Sequence, residues 1–256
     1  MNRRSSPAHV LITGASSGIG AALARSFSSD RAHLTLMGRD TARLKAVAND
    51  CRAAGAETTI AVADVTDKEA MRLAIESADR HHPLDCVIAN AGISAGTDDG
   101  AESADQVTRI FAVNVHGVLN TVAPALDAMR RHGKGQVAIM SSLAGFFGFP
   151  GAPAYCASKA AVRVWGEGLR NDLARNGIGL TVICPGFVRS PMTDGNDFPM
   201  PFLMDADRAS LIIRRGLARN RARIAFPLRM YTAVRLVAAL PPSWRDRLIP
   251  DPPRKP

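Results

Sequence analysis

Short apolar runs alternate along the chain with longer stretches in which apolar positions recur every three or four residues. A compact apolar run bounded by turn residues is the signature of a buried strand, and the 3.6-residue period that of a one-sided helix. The runs predict strands at 9–13, 34–37, 58–62, 86–89, 136–140 and 180–184. The periodic stretches predict helices at 19–28, 41–54, 67–80, 103–131 and 155–176. Parallel neighbours need a crossover between them, usually a helix, so repeated strand–helix units predict a parallel sheet covered on both faces. Right-handed crossovers then make the sheet doubly wound, with ligands at the carboxyl ends of its strands. The fold expected is α/β, a single domain over 1–256. Residues 191–222 are read as a substrate loop with helices, and 227–256 as a basic amphipathic C-terminal extension.

Composition narrows this picture. The chain has 256 residues, 46% apolar and 21% charged, which suits one domain with a sizeable core. Cys51, Cys86, Cys156 and Cys184 are far apart, without the pairing of a zinc site or a secreted disulfide scaffold. The N-terminus passes straight into a short strand, with no long apolar stretch of an export signal. No run approaches the roughly 18 apolar residues of a membrane span. A cytoplasmic protein is therefore expected. The net charge of +9 is concentrated late: 208–256 carry eleven arginines and one lysine against Asp246 and Asp251. No nucleic-acid-reading motif accompanies this charge, so nucleic acid is not expected as a partner. Residues 226–242, followed by Trp244, mix arginine with apolar residues. Such a segment either packs on its own domain or a subunit partner, the reading preferred here, or lies on an anionic membrane surface.

The first strand leads into Thr13-Gly14-Ala15-Ser16-Ser17-Gly18-Ile19-Gly20. Glycines at these positions allow a tight turn and close backbone approach, and a helix starting there presents free N–H groups to a diphosphate. With its threonine and isoleucine, this turn resembles the fingerprint of the short-chain dehydrogenase/reductase family, and the resemblance extends to about residue 190. It implies a Rossmann-type domain, a nicotinamide dinucleotide, and Gly14, Ser16, Ser17, Gly18, Ile19 and Gly20 around it. At the end of the second strand, where an Asp or Glu commonly holds a ribose 2′-hydroxyl, the sequence reads Gly38-Arg39-Asp40. Gly38 offers no carboxylate to repel a 2′-phosphate and Arg39 can pair with one, so NADP(H) is the expected cofactor. Ser17 stands where many NADP-using relatives carry a second basic residue. The resemblance also places Asp64 and Val65 against the adenine, Asn90, Ala91 and Gly92 beside the cofactor, and Pro185, Gly186, Val188 and Ser190 along the nicotinamide. Ser190 replaces a frequent threonine and keeps its hydroxyl.

Tyr155 and Lys159 are four residues apart, on one face of a predicted helix. Ser142 lies thirteen residues before Tyr155, in Ser141-Ser142-Leu143-Ala144-Gly145, and Asn114 lies in Asn114-Val115-His116-Gly117. By resemblance these four are the catalytic set, with Ser141 as the fallback serine. Hydride delivery to a carbonyl leaves an alkoxide that must be protonated. Tyr155 is expected to supply the proton, Lys159 to lower the phenol's pKa and hold the nicotinamide ribose, Ser142 to position the substrate oxygen, and Asn114 to support a water-linked relay through Lys159. This chemistry calls for no metal. Met192, Phe198, Met200, Phe202, Leu203 and Met204 are expected to line a pocket for a bulky apolar or lipid-derived carbonyl or alcohol, and Phe146, Phe147 and Phe149 either line the same pocket or serve as core or subunit contacts. The family resemblance also implies a homodimer or homotetramer. The alternative reading is a non-catalytic NADPH-binding sensor or scaffold.

Overall fold

Strand β1, His9–Thr13, is buried along its whole length, and its side chains part to the two sides of the sheet. Val10 and Ile12 enter one apolar core and Leu11 the other, the period-two alternation of a strand with helices on both faces. The computed structural model describes residues 7–95, 102–196 and 198–248. Asp197 of the expected substrate loop and residues 249–256 of the basic extension lie outside that description.

Around β1 the strands β2 (His33–Gly38), β3 (Glu57–Val62), β4 (Cys86–Ala89), β5 (Gly135–Met140), β6 (Ile178–Pro185) and β7 (Arg223–Phe226) form one parallel sheet in the order β3-β2-β1-β4-β5-β6-β7. The order reverses between β1 and β4. Loops leaving those two strands diverge there and open a crevice at the carboxyl edge. One face carries α1 (Gly18–Ser28), α2 (Thr41–Ala53) and α8 (Ala206–Ala218), which bury Leu23, Phe27, Leu44, Val47, Ile213 and Leu217. The other carries α3 (Lys68–His81), α5 (Gly117–His132) and α6 (Pro153–Arg175), which bury Met71, Ile75, Val118, Val122, Val162 and Leu173. Helix α4 (Ala104–Phe111) leads toward α5, and α7 (Pro191–Asp194), α9 (Leu228–Ala239) and α10 (Pro242–Leu248) follow β6 and β7.

Two departures from the predicted elements bear on function. The helix expected over 103–131 is divided by a π turn, Ala112–His116, which contains Asn114; such wide turns loosen the helical hydrogen-bond ladder and often mark functional positions. Strand β7 was not predicted. It has four residues, begins on an arginine within a basic stretch and buries alternate residues at the edge of the sheet, so it carries little of a strand's apolar signal. All four cysteines are buried and none is in a disulfide. No helix among the described residues is long and apolar enough to cross a membrane.

Candidate active site

The turn after β1 is built by contacts that glycine alone permits. Gly14 has φ +65°, and a Cβ there would stand 2.9 Å from Cα of Ala91. At Gly20 a Cβ would overlap the carbonyl oxygen of Gly14, so the first turn of α1 lies directly on the end of β1. Asn90, at the end of β4, ties the crevice together: its Nδ2 donates to the carbonyls of Thr13 (3.0 Å) and Gly14 (3.2 Å). The Thr13 hydroxyl accepts from the amides of Asn90 (3.0 Å) and Ala91 (3.1 Å). Helices α2, α3 and α4 are closed by the carboxylates of Asp40 and Asp67 and the hydroxyl of Ser103. At α1, by contrast, the N-cap Ser17 makes no side-chain capping bond, and the first turn holds no acidic residue. Its leading N–H groups are thus left for an anion. This turn fits a diphosphate.

A single cleft of about 810 Å³ runs from this turn across the carboxyl edge. Gly14, Ser16, Ser17, Gly18, Ile19, Arg39, Asp64, Val65, Asn90, Ala91, Gly92, Pro185, Gly186, Val188 and Ser190 line it, as do Ser142, Tyr155 and Lys159. Gly20 and Asn114 are not in its wall: Gly20 packs behind the turn, and Asn114 is fully buried. Asp64 accepts from the amide (2.9 Å) and hydroxyl (2.8 Å) of Thr66, and these bonds, chiefly the amide's, hold its pKa below the ordinary carboxylate value. Its other oxygen is 3.4 Å from Nη1 of Arg39, whose side chain is 70% exposed. Arg43, not among the residues expected here, also lines this end, in the first turn of α2 and 3.2 Å from Asp40.

Farther along the cleft, α6 presents Tyr155 and Lys159 on one face, with Nζ 5.8 Å from the phenol ring centre. Lys159 is 3% exposed; its Nζ donates to the carbonyl of Met140 at 3.0 Å, and burial brings its pKa from 10.5 down to about 8. The two serines after β5 separate by partner. Ser141 donates to the Lys159 carbonyl at 2.7 Å and so fastens α6, whereas Ser142 hydrogen-bonds the phenol of Tyr155 and has a long contact of 3.4 Å to the Pro185 carbonyl. Burial raises the Tyr155 pKa, against the pull of Ser142. The lowering expected from Lys159 is therefore not found: desolvation of the phenolate dominates, and the opposing pull comes from Ser142.

Asn114 sits behind Gly92. Its Oδ1 accepts from the amide of Ile93 (2.8 Å), and its Nδ2 donates to the Ile93 carbonyl (2.9 Å) and to Ser158 Oγ (3.0 Å). Ser158 in turn donates to the Tyr155 carbonyl at 2.7 Å. A Cβ on Gly92 would lie 3.1 Å from Lys159 Nζ and 3.2 Å from Asn114 Oδ1, so the residue leaves space where the two approach. Another anchor had no sequence signal: the Glu102 carboxylate accepts from the amide of Ala154, just before Tyr155, at 2.9 Å.

Beyond Tyr155 the wall is apolar. Phe147, Phe149, Met192 and Phe198 line it as expected, together with Phe187, Met230 and Val234, which were not foreseen. Met200, Phe202, Leu203 and Met204 do not line the cleft. Phe202 is 52% exposed, and Met204 is buried beside Val188, to which it forms a β-bridge. Phe146 turns away from the cleft too. It lies between the guanidinium groups of Arg163 (4.5 Å) and Arg223 (5.2 Å) and meets Tyr231 of α9 edge-on. Helix α9 accordingly packs on its own domain through Met230, Tyr231 and Val234, while Leu228 and Leu236 face outward.

Comparison with known proteins agrees with this architecture. The short chain dehydrogenase family profile matches residues 8–198. An uncharacterized oxidoreductase of Myxococcus xanthus is 37% identical over 232 residues, which cover 90% of this chain and 92% of that protein. The uncharacterized oxidoreductase Rv0945 of Mycobacterium tuberculosis is 36% identical over 243 residues, 93% and 96% of the two chains. Among solved structures, a short-chain dehydrogenase/reductase of Burkholderia phymatum in complex with NAD superposes with TM-score 0.83 at 25% identity, over 97% of this chain and 96% of its own. A short-chain dehydrogenase of Sphingobium yanoikuyae in complex with NADPH gives 0.81 at 28% identity, over 95% of each. With the profile covering most of its length and these relatives nearly all of it, the chain belongs to the short-chain dehydrogenase family, oxidoreductases that bind a nicotinamide nucleotide.

Proposed function

We propose that this protein is an NADP(H)-dependent oxidoreductase that interconverts a carbonyl and a secondary alcohol on a bulky, uncharged, largely apolar substrate. The observation that carries this reading is the meeting of Tyr155, Ser142 and Lys159 in the same cleft as the glycine-rich turn. The α1 first turn would hold the diphosphate, Asp64 and Val65 the adenine side, and Pro185, Gly186, Val188 and Ser190 the nicotinamide side. The bound nucleotide supplies or accepts the hydride. Ser142 orients the substrate oxygen. Tyr155, whose raised pKa keeps it protonated at neutral pH, delivers its proton to that oxygen in reduction and takes it back in oxidation. Lys159 places a positive charge beside the phenolate left behind. Asn114 is a positioning residue, since its hydrogen bonds hold the Ile93 segment to α6 at Ser158, next to Tyr155's own backbone.

Two features support the finer assignments. Arg39 is well exposed at the end of β2, where Gly38 leaves no carboxylate, and Arg43 stands close by, so two guanidinium groups are available to a 2′-phosphate. Among the described residues, the charged side chains lining the cleft are Arg39, Asp40, Arg43 and Asp64 toward the glycine-rich turn and Lys159 beside Tyr155, and the described wall beyond Tyr155 is largely apolar. The first experiment is a fluorescence titration with NADPH and NADH, followed by turnover on a panel of hydrophobic ketones and aldehydes. NADPH is expected to bind at least about tenfold more tightly, with Arg39→Ala weakening NADPH and sparing NADH. Equal affinities would reject the NADP(H) assignment, and binding without turnover across the panel would reject the catalytic one.

A further inference from the structure

The amino-terminal edge of the sheet, opposite the cleft, carries a cluster of imidazoles that the oxidoreductase chemistry does not use. His9, His33 and Glu57 are the first residues of β1, β2 and β3, and they are register partners across the three strands. His82, the C-cap of α3, comes back over them: its ring centre is 5.3 Å from that of His33 and 6.3 Å from that of His9. One donor atom each from His33, Glu57 and His82 lies within 4.8 Å of the others.

The hydrogen bonds separate ligands from supports. The Nδ1–H of His9 donates to the His82 carbonyl at 2.7 Å, and its Nε2 accepts from the Thr35 hydroxyl at 2.9 Å. Both nitrogens are engaged, so His9 fixes the backbone of His82 and ligates nothing. His33 has Nε2 3.0 Å from the Thr59 hydroxyl and turns Nδ1 toward Glu57 Oε2, 3.5 Å away. That is long for a hydrogen bond, but it is the spacing of two donors on a tetrahedral metal: bonds of about 2.0–2.1 Å at the tetrahedral angle put donors roughly 3.3–3.5 Å apart. An outer oxygen on one ring nitrogen with the other nitrogen aimed inward is also how ligating histidines are commonly oriented. His33 and Glu57 start neighbouring strands in register, and the exposed His82 side chain, with a donor atom already within 4.8 Å of theirs, is free to turn inward and complete the triad.

We propose that His33, His82 and Glu57 bind a divalent transition-metal ion, best matched by Zn²⁺, which staples the starts of β2 and β3 to the end of α3. Two imidazoles and one carboxylate are the donor set of a borderline ion, whereas Mg²⁺ and Ca²⁺ require mostly oxygen. The sequence, read by its widely spaced cysteines, shows no such site, since these ligands are 24 and 25 residues apart and meet through strand register.

The test is calorimetric titration of untagged, chelator-treated protein with Zn²⁺ and, separately, Mg²⁺. His82→Ala and Glu57→Gln alter exposed side chains, and circular dichroism checks that each variant is folded. One tight equivalent of Zn²⁺ per chain is expected, with no Mg²⁺ binding, a zinc-dependent rise in the thermal midpoint, and about a tenfold or greater loss of zinc affinity in each variant. Absence of saturable zinc binding, or wild-type affinity in either variant, would overturn the proposal. Neither result bears on the cleft chemistry, because both are read without turnover.

Discussion

Lys159 is held where charge is expensive: it is nearly inaccessible to water, and its pKa falls from 10.5 to about 8 because burial disfavours the ammonium. The folded chain therefore binds this proton less readily than the unfolded chain does. The penalty is complete below about pH 8, where both states are protonated, and fades as pH rises from about 8 to 10.5. At ~1.4 kcal/mol per pKa unit it amounts to roughly 3–4 kcal/mol at neutral pH. Lys159→Met removes the charge but leaves the Met140 carbonyl without its donor, so a net gain of roughly 1–3 kcal/mol is expected in nucleotide-free protein at pH 7, with turnover lost. Denaturant midpoints at pH 7 and pH 10 decide it: the advantage of the variant over wild type must shrink at the higher pH. Tyr155→Phe should lower turnover by about 10²–10⁴-fold while NADPH affinity stays close to wild type, since it removes one transferable proton. Undiminished turnover would refute the assignment of Tyr155. Both residues were legible in the sequence from their spacing and from Ser142. The choice of Ser142 over Ser141 rests on spacing; in the fold the Ser141 hydroxyl is committed to the Lys159 carbonyl, while that of Ser142 faces the Tyr155 phenol.

At the scale of elements, the site depends on how closely α1 approaches β1 and how α6 is held. Gly20→Ala would drive a methyl group into the Gly14 carbonyl and to 2.7 Å from Asn90 Nδ2, the atom that ties the turn to β4. The expected cost is about 1–3 kcal/mol of stability with a clear weakening of NADPH binding; unchanged binding would show that the turn relaxes without consequence. The glycine spacing was readable because it is a local steric requirement. Breaking of the helix over 103–131 was not, since nothing in local periodicity separates a π turn from an α turn. It was Asn114's bonds to Ile93 and Ser158, residues 21 and 44 positions away, that gave the π turn its role. The same holds for Phe146: its place in sequence suggested the substrate wall, but the arginines of α6 and β7 draw it to the far side.

For the whole molecule, the outer face of α6 carries Ala157, Ala161, Val164 and Gly168, all exposed at helical spacing, with Val164 59% accessible. We expect this face to meet a second copy of the chain. Val164→Arg should shift the mass measured by light scattering toward the monomer while the fold is retained, and an unchanged mass would place the interface elsewhere. The succession of the first six strands with their helices, the doubly wound sheet and the tight glycine turn after β1 followed from the sequence by itself, because periodicity and glycine-turn geometry are imposed by neighbours along the chain. Strand β7, the entry of Met230 and Val234 into the wall of the cleft, the retreat of Asn114 behind Gly92 and the meeting of His33, Glu57 and His82 were decided only by tertiary structure. Each of these arises where segments far apart in the chain are packed side by side, and the energy that places them is in contacts no local pattern records.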